Sequence, residues 1–573
     1  MINAALNIAA SSLKAQQQAI DVISHNIANV NTPGYSKQTA TLGTAVPESQ
    51  GAMHFGRGVQ LADIQRAVDP FLTSSLNTNG NQLAFAQTLE QGLNVVESVF
   101  GSLDAPGLAS SLDSFFQAYQ SLANNPQDIA QRNNVRNFGI DIATHLKLMR
   151  DQLVSQQNSA DSGIDGRITQ ANQLVDQIAS LNIQISTREN TTGSTANDLR
   201  DQRDLAAQNL SRLVPVQVVN ANDTAYMIQT MGGDLLVQDS DVHHLARGGS
   251  SGTGFSGVVM QGSTAPLAGI DAGGEIGGLT TLRDNRLGSY ITQLDSLTAN
   301  LSFGVNRLHA GGAGLVLPAS VTSEIAAAAP ASAVDAAGQN VPFAGQIVSG
   351  SFQVHVYDAA GTPQPAGGTT INITAGTTTV NQMVADLNAV AGMTASLDAS
   401  NHIVINAGAG SVGFSNDSSN VLAAYEIGTF FHGDNASNIA VSAMVTADAN
   451  SIAAGAIDSA TSLNNPGGNS VALQIIGFQN TATGIDGSAS ASVLERTANL
   501  SVDYAGHVQA ANQQRVFREA ESQSLTAQRQ ALAGVNTDQE LINMIKFQRA
   551  YEASAKIVTT SNQMLDSLLG LIR

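Results

Sequence analysis

The stretch INAALNIAASSLKAQQQAIDVISHNIANV, residues 2–30, decides the fold because apolar side chains recur along it at a regular spacing. The spacing alternates between four and three residues, which is the heptad period of helices that pack side by side. The seam runs through Ile2, Leu6, Ala9, Leu13, Gln16, Ile20, Ile23, Ile27 and Val30. A helix with one such face needs a partner to cover it. The pattern therefore predicts a helix over residues 1–30 that packs against a second helix.

The opposite end of the chain carries a matching seam, with a spacing that alternates between three and four residues. It consists of Leu541, Met544, Gln548, Tyr551, Ala555, Val558, Asn562, Leu565, Leu569 and Ile572. Polar residues such as Gln16 and Asn562 interrupt both seams, and such residues fix the register of a helix pair at a cost in stability. We therefore predict that the two ends pair in a coiled-coil-like manner. We also predict that neighbouring copies of the chain complete the pair.

The composition of the 573-residue chain narrows the class of protein. A net charge of -20 argues against a nucleic-acid partner, because nucleic-acid binding needs clustered lysines and arginines. The absence of cysteine excludes disulfides, thiol catalysis and zinc sites with sulfur ligands. No apolar run approaches the roughly 18 residues of a membrane span, and the N-terminus does not resemble a cleaved secretory signal.

The order of helical and strand-like patterns predicts a multidomain α plus β fold with paired terminal helices, a helical rod domain and inserted β-rich outer domains. Such insertions are tolerated when the two ends of the inserted segment lie close together. The predicted domains are a terminal axial helical domain at residues 1–50 and 535–573, a helical rod domain at 55–212, 275–310 and 470–534, a β-rich domain at 213–274 and 311–345, and an outer β-rich insertion at 346–460.

Two internal segments have patterns that predict particular elements. Residues 161–188 read as a long amphipathic helix whose apolar stripe passes through Ile164, Val175 and Ile178. The insertion contains a β-β-α-β-β module. Its predicted parts are strands at 352–357 and 370–374, a helix at 380–390, and a hairpin with strands at 395–397 and 402–405.

The string NIANVNTPGY, residues 26–35, ends the first helix with an asparagine cluster and a turn forced by Pro33 and Gly34. This string resembles the signature of the flagellar axial proteins, which form the rod, the hook and the hook–filament junction. GVNTDQEL at 534–541 and QRAYEASAK at 548–556 resemble the C-terminal end of the same family. Together the resemblance covers both ends and the helical flanks of the chain.

Further strings are most similar to the hook–filament junction members of that family. They are VNTPGYSKQ at 30–38, NDLRDQRD at 197–204, Gly278-Leu279, Arg283-Asp284-Asn285, and NASNIAV at 435–441. The resemblance implies a structural, non-enzymatic component of the bacterial flagellum whose terminal helices polymerise. Hook or distal-rod proteins share the end motifs, so a hook or distal-rod protein is the alternative. A more distant alternative is a secreted adhesin-like surface protein, because the β-rich regions resemble such proteins in composition.

The resemblance also implies the partners and the location. The expected partners are further copies in a helical or ring-like zone, the hook protein, a second junction protein or the filament, and an export chaperone at the C-terminal helix. The expected location is the extracellular flagellum, after export without a cleaved signal peptide. The predicted assembly residues are Ile2, Leu6, Leu13, Ile20, Ile23, Ile27, Asn29, Pro33, Gly34, Tyr35, Leu541, Met544, Tyr551, Val558, Leu565, Leu569 and Ile572.

Two strings resemble enzyme or metal motifs. GAGSVG at 408–413 fits a dinucleotide-binding GxGxxG, but it follows a predicted hairpin strand and lacks the following helix of a βαβ unit. His243 and His244 are adjacent, so on a strand they point in opposite directions. We therefore predict no catalytic residue, no cofactor and no metal site.

Overall fold

A computed structural model describes residues 2–50, 53–100, 107–222, 225–250, 252, 254–485 and 490–571. The chain divides into two compact units. The terminal unit comprises Met1–Gly92, Ser159–Asp284 and Gln509–Arg573, and the central unit comprises Leu93–Asn158 and Asn285–Val508. The predicted α plus β class is confirmed. The predicted domain boundaries cut the chain at other positions and stay a prediction.

The helices include several that are far longer than average. They are α1 Ile2–Ala28, α2 Pro70–Phe100, α3 Leu108–Asn124, α4 Ile129–Thr192, α5 Asn197–Leu213, α6 Gly274–Thr280, α7 Gly288–Ala310, α8 Val380–Asn388, α9 Val421–Ala424, α10 Ala443–Ala447, α11 Ser470–Phe478, α12 Val493–Ala533 and α13 Thr537–Leu571. A π-helical segment, Thr281–Leu287, joins α6 to α7. Among the described residues, none of these helices combines the length and the apolar composition that crossing a bilayer requires.

The strands are short and almost all pair with a close neighbour. They are β1 Gln38–Thr44, β2 Glu48–Gln50, β3 Met53–Phe55, β4 Val59–Arg66, β5 Val216–Asn222, β6 Ala225–Thr230, β7 Leu235–Gln238, β8 Asp241–Val242, β9 Leu245–Ser250, β10 Ser256–Met260, β11 Ser320–Thr322, β12 Gly350–Tyr357, β13 Thr369–Ile373, β14 Thr394–Leu397, β15 Ile403–Asn406, β16 Ser411–Ser415, β17 Phe431–His432 and β18 Ala440–Val441.

The terminal unit has its core where the C-terminal half of α4 and α5 pack against the meander β5-β6-β7-β8. Ile164, Val175 and Ile178 of the predicted stripe are fully buried there. The helix itself is much longer than the predicted 161–188, because the glycines near its middle do not end it. Gly163 is instead a point of close approach, where an added Cβ would lie 3.2 Å from Cδ1 of Leu279.

The central unit has its core between two three-stranded antiparallel sheets and α8. The predicted β-β-α-β-β order is present as β12, β13, α8, β14 and β15. The two hairpins lie in different sheets, because β12 also pairs with β16 and β15 also pairs with β11. The GxGxxG string lies in the turn before β16 and in β16 itself, which is an antiparallel strand, so the βαβ context of a dinucleotide site is absent from this described part of the chain.

Candidate assembly surface on the terminal helices

The terminal helices α1 and α13 pack against each other, as the two seams predicted. The hydroxyls of Ser12 and Ser554 lie 2.8 Å apart, and Nδ2 of Asn26 donates to Oε2 of Glu540 at 3.2 Å. An advance of fourteen residues along α1 thus corresponds to a retreat of fourteen along α13. The pair is therefore antiparallel, and it joins the two ends of the chain within the terminal unit.

The buried faces of this pair consist mainly of small or polar side chains. On α1 the most buried residues are Ala9, Ala15, Ala19, Val22, Ile23 and Asn26, and on α13 they are Glu540, Ser554 and Ser561. Alanine loses no side-chain entropy on burial, and short side chains let helix axes approach closely. The contact is consequently close, but it covers little large apolar surface.

The predicted assembly residues fall into several classes of exposure. Ile23 is buried, whereas Leu6, Leu13, Ile20, Ile27, Asn29, Gly34, Tyr35, Met544, Val558 and Leu565 are half-buried, and Pro33, Leu541 and Tyr551 are exposed. Ile2 and Leu569 lie in α1 and α13, and Ile572 lies outside the described residues. Their role in assembly stays a prediction. The structure shows that most of them keep surface available for another contact.

Large apolar side chains of α13 remain uncovered along its whole length. They are Leu541, Ile542, Ile545, Tyr551, Ile557, Met564 and Leu568, whose exposed fractions range from 39% to 59%. We call these seven residues the outer apolar set. Seven large apolar side chains left uncovered on one helix exceed the single exposed apolar residues that are normal on a soluble protein, and they indicate a contact with another molecule. The outer apolar set is therefore the candidate assembly surface.

Asn26 holds the turn that follows α1. Its Oδ1 accepts hydrogen bonds from the Tyr35 hydroxyl at 2.7 Å and from the backbone N–H of Gln38 at 2.9 Å. Its Nδ2 donates to the carbonyl of Gln38 at 2.8 Å as well as to Glu540. Asn26 is 1% exposed, so a buried amide with every one of these groups paired fixes the turn against the start of α13.

Glu540 is the charged member of this junction. It is 2% exposed, and Nζ of Lys37 lies 3.3 Å from its Oε1. The backbone N–H of Lys37 donates to the carbonyl of Ala533 at 2.9 Å, which ties the turn to the end of α12. A buried carboxylate is costly unless it is paired and hydrogen-bonded. Lys37 therefore pairs with the charge and Asn26 hydrogen-bonds Oε2, whereas Oε1 has no hydrogen-bond partner among the described residues.

A second set of charges ties the turn to α5. The backbone N–H of Ser36 donates to Oδ2 of Asp201 at 2.9 Å, and Arg66 donates to both Asp201 and Asp204, at 2.9 and 2.8 Å. Burial raises the pKa of Asp201, and the hydrogen bond from Ser36 and the charge of Arg66 oppose that rise. Burial, followed by the nearby carboxylates, raises the pKa of the Tyr35 hydroxyl. Tyr35 therefore stays a neutral donor to Asn26.

Sequence reasoning missed Asn26, Lys37 and Glu540 as individual residues. Asn26 had one available signal, since it stands beside the predicted seam between Ile23 and Ile27. Glu540 had none, because a glutamate in the first turn of a helix is ordinarily a solvated residue that favours the helix dipole. Only the fold reveals that its carboxylate lies against α1.

Comparisons with known families match both ends of the chain to flagellar axial proteins, the class that the terminal motifs resemble. Residues 6–35 match the family of flagella basal body rod proteins, and residues 527–571 match the C-terminal family of the flagellar basal body rod proteins FlgEFG. Residues 93–317 match the helical domain of the flagellar hook-associated protein FlgK. The resemblance to flagellar axial proteins is therefore confirmed.

The particular protein to which the chain is similar is flagellar hook-associated protein 1. The Salmonella typhimurium (strain LT2) protein is 30% identical over 314 residues, which are 54% of this chain and 56% of the relative. The Bacillus subtilis (strain 168) protein is 32% identical over 220 residues, which are 37% of this chain and 43% of the relative. The chain thus spans about half the length of the curated relatives it matches. A solved structure, the flagellar hook junction protein FlgK from Burkholderia pseudomallei, is 17% identical with a TM-score of 0.49 over 80% of this chain and 100% of that one.

Proposed function

We propose that this protein is a structural, non-enzymatic component of the bacterial flagellum that joins hook to filament by helical polymerisation of its terminal helices. The outer apolar set on α13 is the observation that carries the proposal. Within the subunit, the contact between α1 and α13 buries mainly small and polar side chains. The large apolar side chains are left for neighbouring subunits to cover.

The contact of the outer apolar set with a neighbouring subunit would contribute a sizeable free energy. Covering seven roughly half-exposed apolar side chains contributes on the order of 5–10 kcal/mol per subunit before the cost of ordering is subtracted. A contact between two unlike faces repeats from subunit to subunit, into a ring or an open helix, instead of closing into a dimer. The proposed partners are further copies of the chain in a helical or ring-like zone, the hook protein on one side, and a second junction protein or the filament on the other.

The same surface needs protection before assembly. An uncovered apolar helix face favours aggregation at high concentration. We infer that an export chaperone covers the outer apolar set before the chain leaves the cell. The proposed final location is the extracellular flagellum.

Deletion of the gene, followed by electron microscopy of the cells, tests the proposal. The expected mutant has hooks without filaments and releases filament protein into the medium, and the intact gene supplied in trans restores filaments. Normal filaments on the mutant would contradict a junction role. Loss of the hooks as well would favour the hook or distal-rod alternative, and intact flagella with lost surface attachment would favour the adhesin-like alternative.

A further inference from the structure

Three potential metal ligands converge in the central unit, at a distance from the candidate assembly surface along the chain. Glu324 follows β11, Glu426 follows α9, and His432 lies in β17. One ligand atom from each lies within 4.8 Å of the others. The sequence predicted no metal site, because more than a hundred residues separate Glu324 from Glu426 and no ligand spacing is visible.

Backbone donors hold both carboxylates in place. The N–H of Gly433 donates to Oε1 of Glu426 at 2.9 Å, and the N–H of Ala443 donates to Oε1 of Glu324 at 2.6 Å. The second oxygen of each carboxylate then faces the same imidazole nitrogen. Nδ1 of His432 lies 2.6 Å from Oε2 of Glu426 and 3.4 Å from Oε2 of Glu324.

These distances leave the cluster with more acceptors than donors. An imidazole Nδ1 carries at most one hydrogen, and the 2.6 Å distance assigns it to Glu426. Among the described residues, Oε2 of Glu324 has no hydrogen-bond donor closer than this shared nitrogen. Oε2 of Glu324, Oε2 of Glu426 and Nδ1 of His432 therefore lie together with only the Nδ1 hydrogen to share among them. A cation at their centre would satisfy all three atoms.

The cluster is both enclosed and accessible. Glu426 is 1% exposed, while the side chains of Glu324 and His432 are 21% and 36% exposed. A cavity of about 400 Å³ adjoins the two carboxylates and is also lined by Thr429 and Ser442. A hydrated ion can thus reach both carboxylates from this cavity, while His432, which does not line the cavity, contacts the same two carboxylates.

We propose that Glu324, Glu426 and His432 bind one divalent first-row transition metal ion, with water in the remaining positions. Two carboxylates and one imidazole suit zinc and its neighbours, whose ligand distances are about 2.0–2.2 Å. Calcium and magnesium prefer oxygen ligands alone. The ion would tie the segment after β11 to the segment from α9 to β17. This inference does not rest on the proposed function.

Zinc chloride added to the purified, metal-free full chain tests the site. Equilibrium dialysis with elemental analysis should find about one zinc ion per chain, and zinc should raise the midpoint of thermal unfolding. His432→Ala and Glu426→Gln should each weaken binding at least about tenfold and abolish the rise in the midpoint. Magnesium or calcium in excess should not compete.

His402→Ala is the matched control. His402 pairs with Asp398 at 3.1 Å on an exposed hairpin, so it is a histidine–carboxylate pair without a second carboxylate. This variant should bind zinc as the wild type does. Glu324→Gln, at a more exposed position, keeps the test decisive if another variant does not fold. Absence of zinc binding by the wild type would overturn the proposal, as would undiminished binding by the variants of Glu324, Glu426 and His432.

Discussion

Gly34 sets the direction in which the chain leaves α1, because its φ of +83° lies in the left-handed region that other residues rarely adopt. Space is also short there. A Cβ at this position would lie 3.2 Å from Cβ and from Cδ2 of Leu205 on α5. The sequence predicted the turn from Pro33 and Gly34, but it did not predict the close approach to α5, which depends on the tertiary fold.

The substitution Gly34→Ala should lower the free energy of unfolding by about 1–3 kcal/mol, since backbone strain and the contact with Leu205 both act against it. Gly193→Ala is the control. Gly193 has a φ of +64°, and a Cβ added there would meet no heavy atom within 4 Å. The free energy of unfolding of Gly193→Ala should therefore fall by only about 1 kcal/mol, from backbone strain. Urea unfolding followed by circular dichroism measures both. Equal losses would show that the contact with Leu205 does not matter.

His309 is a buried histidine whose surroundings require the neutral ring. Its Nδ1–H donates to the carbonyl of Gly428 at 3.0 Å, and its Nε2 accepts from the N–H of Ala453 at 2.9 Å. A second proton on the ring would face the N–H of Ala453. Burial lowers the pKa of His309 from 6.5 to about 4.

Acid should therefore destabilise the central unit through His309. Below pH 6.5 the imidazole of His309 stays neutral in the folded state but takes up a proton in the unfolded state. Its contribution to the free energy of unfolding is therefore complete above pH 6.5 and is lost as the pH falls toward 4. At pH 4.5 the loss should be about 2–3 kcal/mol. His309→Gln should show a smaller difference in urea stability between pH 7 and pH 4.5, and His243→Gln, at an exposed histidine, should not. An unchanged pH dependence in His309→Gln would contradict this assignment.

At the scale of elements, the heptad spacing predicted both terminal helices and their pairing but not the face that each buries. The predicted seam follows Leu13, Ile20 and Ile27, which are half-buried, whereas Ala15 and Ala19 are almost completely buried. Hydropathy gives the period of a helix, because period depends on where apolar residues recur. It does not say whether large or small side chains meet the partner. That choice depends on how closely the two axes approach.

In the sheets of the central unit, the sequence predicted the strands but not which strands pair. The strands of the β-β-α-β-β module were predictable, because alternating apolar residues and turn residues bound each one. Their partners were not, since β11 and β16 join the two hairpins from outside the module. Long-range pairing depends on tertiary packing, which a local pattern does not contain.

The antiparallel register of α1 and α13 can be tested by a disulfide, because the chain has no cysteine of its own. Ser12→Cys combined with Ser554→Cys should form an intramolecular disulfide on mild oxidation, since the two hydroxyls lie 2.8 Å apart. Ser11→Cys combined with Ser554→Cys should not, because Ser11 lies about 100° further around α1 and its hydroxyl bonds to the carbonyl of Ile8. Non-reducing electrophoresis measures the extent of disulfide formation in the two double variants. Equal cross-linking of the two pairs would refute the register.

At the scale of the whole molecule, the residues that stabilise the subunit are distinct from the proposed assembly surface. Each unit has its own core, in which large apolar side chains are buried. The helix pair that joins the two chain ends buries mainly small side chains and a hydrogen-bonded polar junction around Asn26. An interface built in this way can hold the ends together without using the surface that neighbours need. Residues that stabilise the subunit and residues that assemble it should therefore be separable by mutation.

The double substitution Ile542→Ser and Ile545→Ser tests that separation. These side chains are 59% and 57% exposed, so their replacement should change the free energy of unfolding of the isolated chain by less than about 0.5 kcal/mol each. Assembly should nevertheless fail, because both residues belong to the outer apolar set, and cells carrying only this variant should lose filaments and swimming. Leu148→Ser is the control, since Leu148 is 55% exposed on α4 and lies outside that set. Full swimming by the double variant, or an equal loss of swimming in the control, would contradict the proposed role of α13 in assembly.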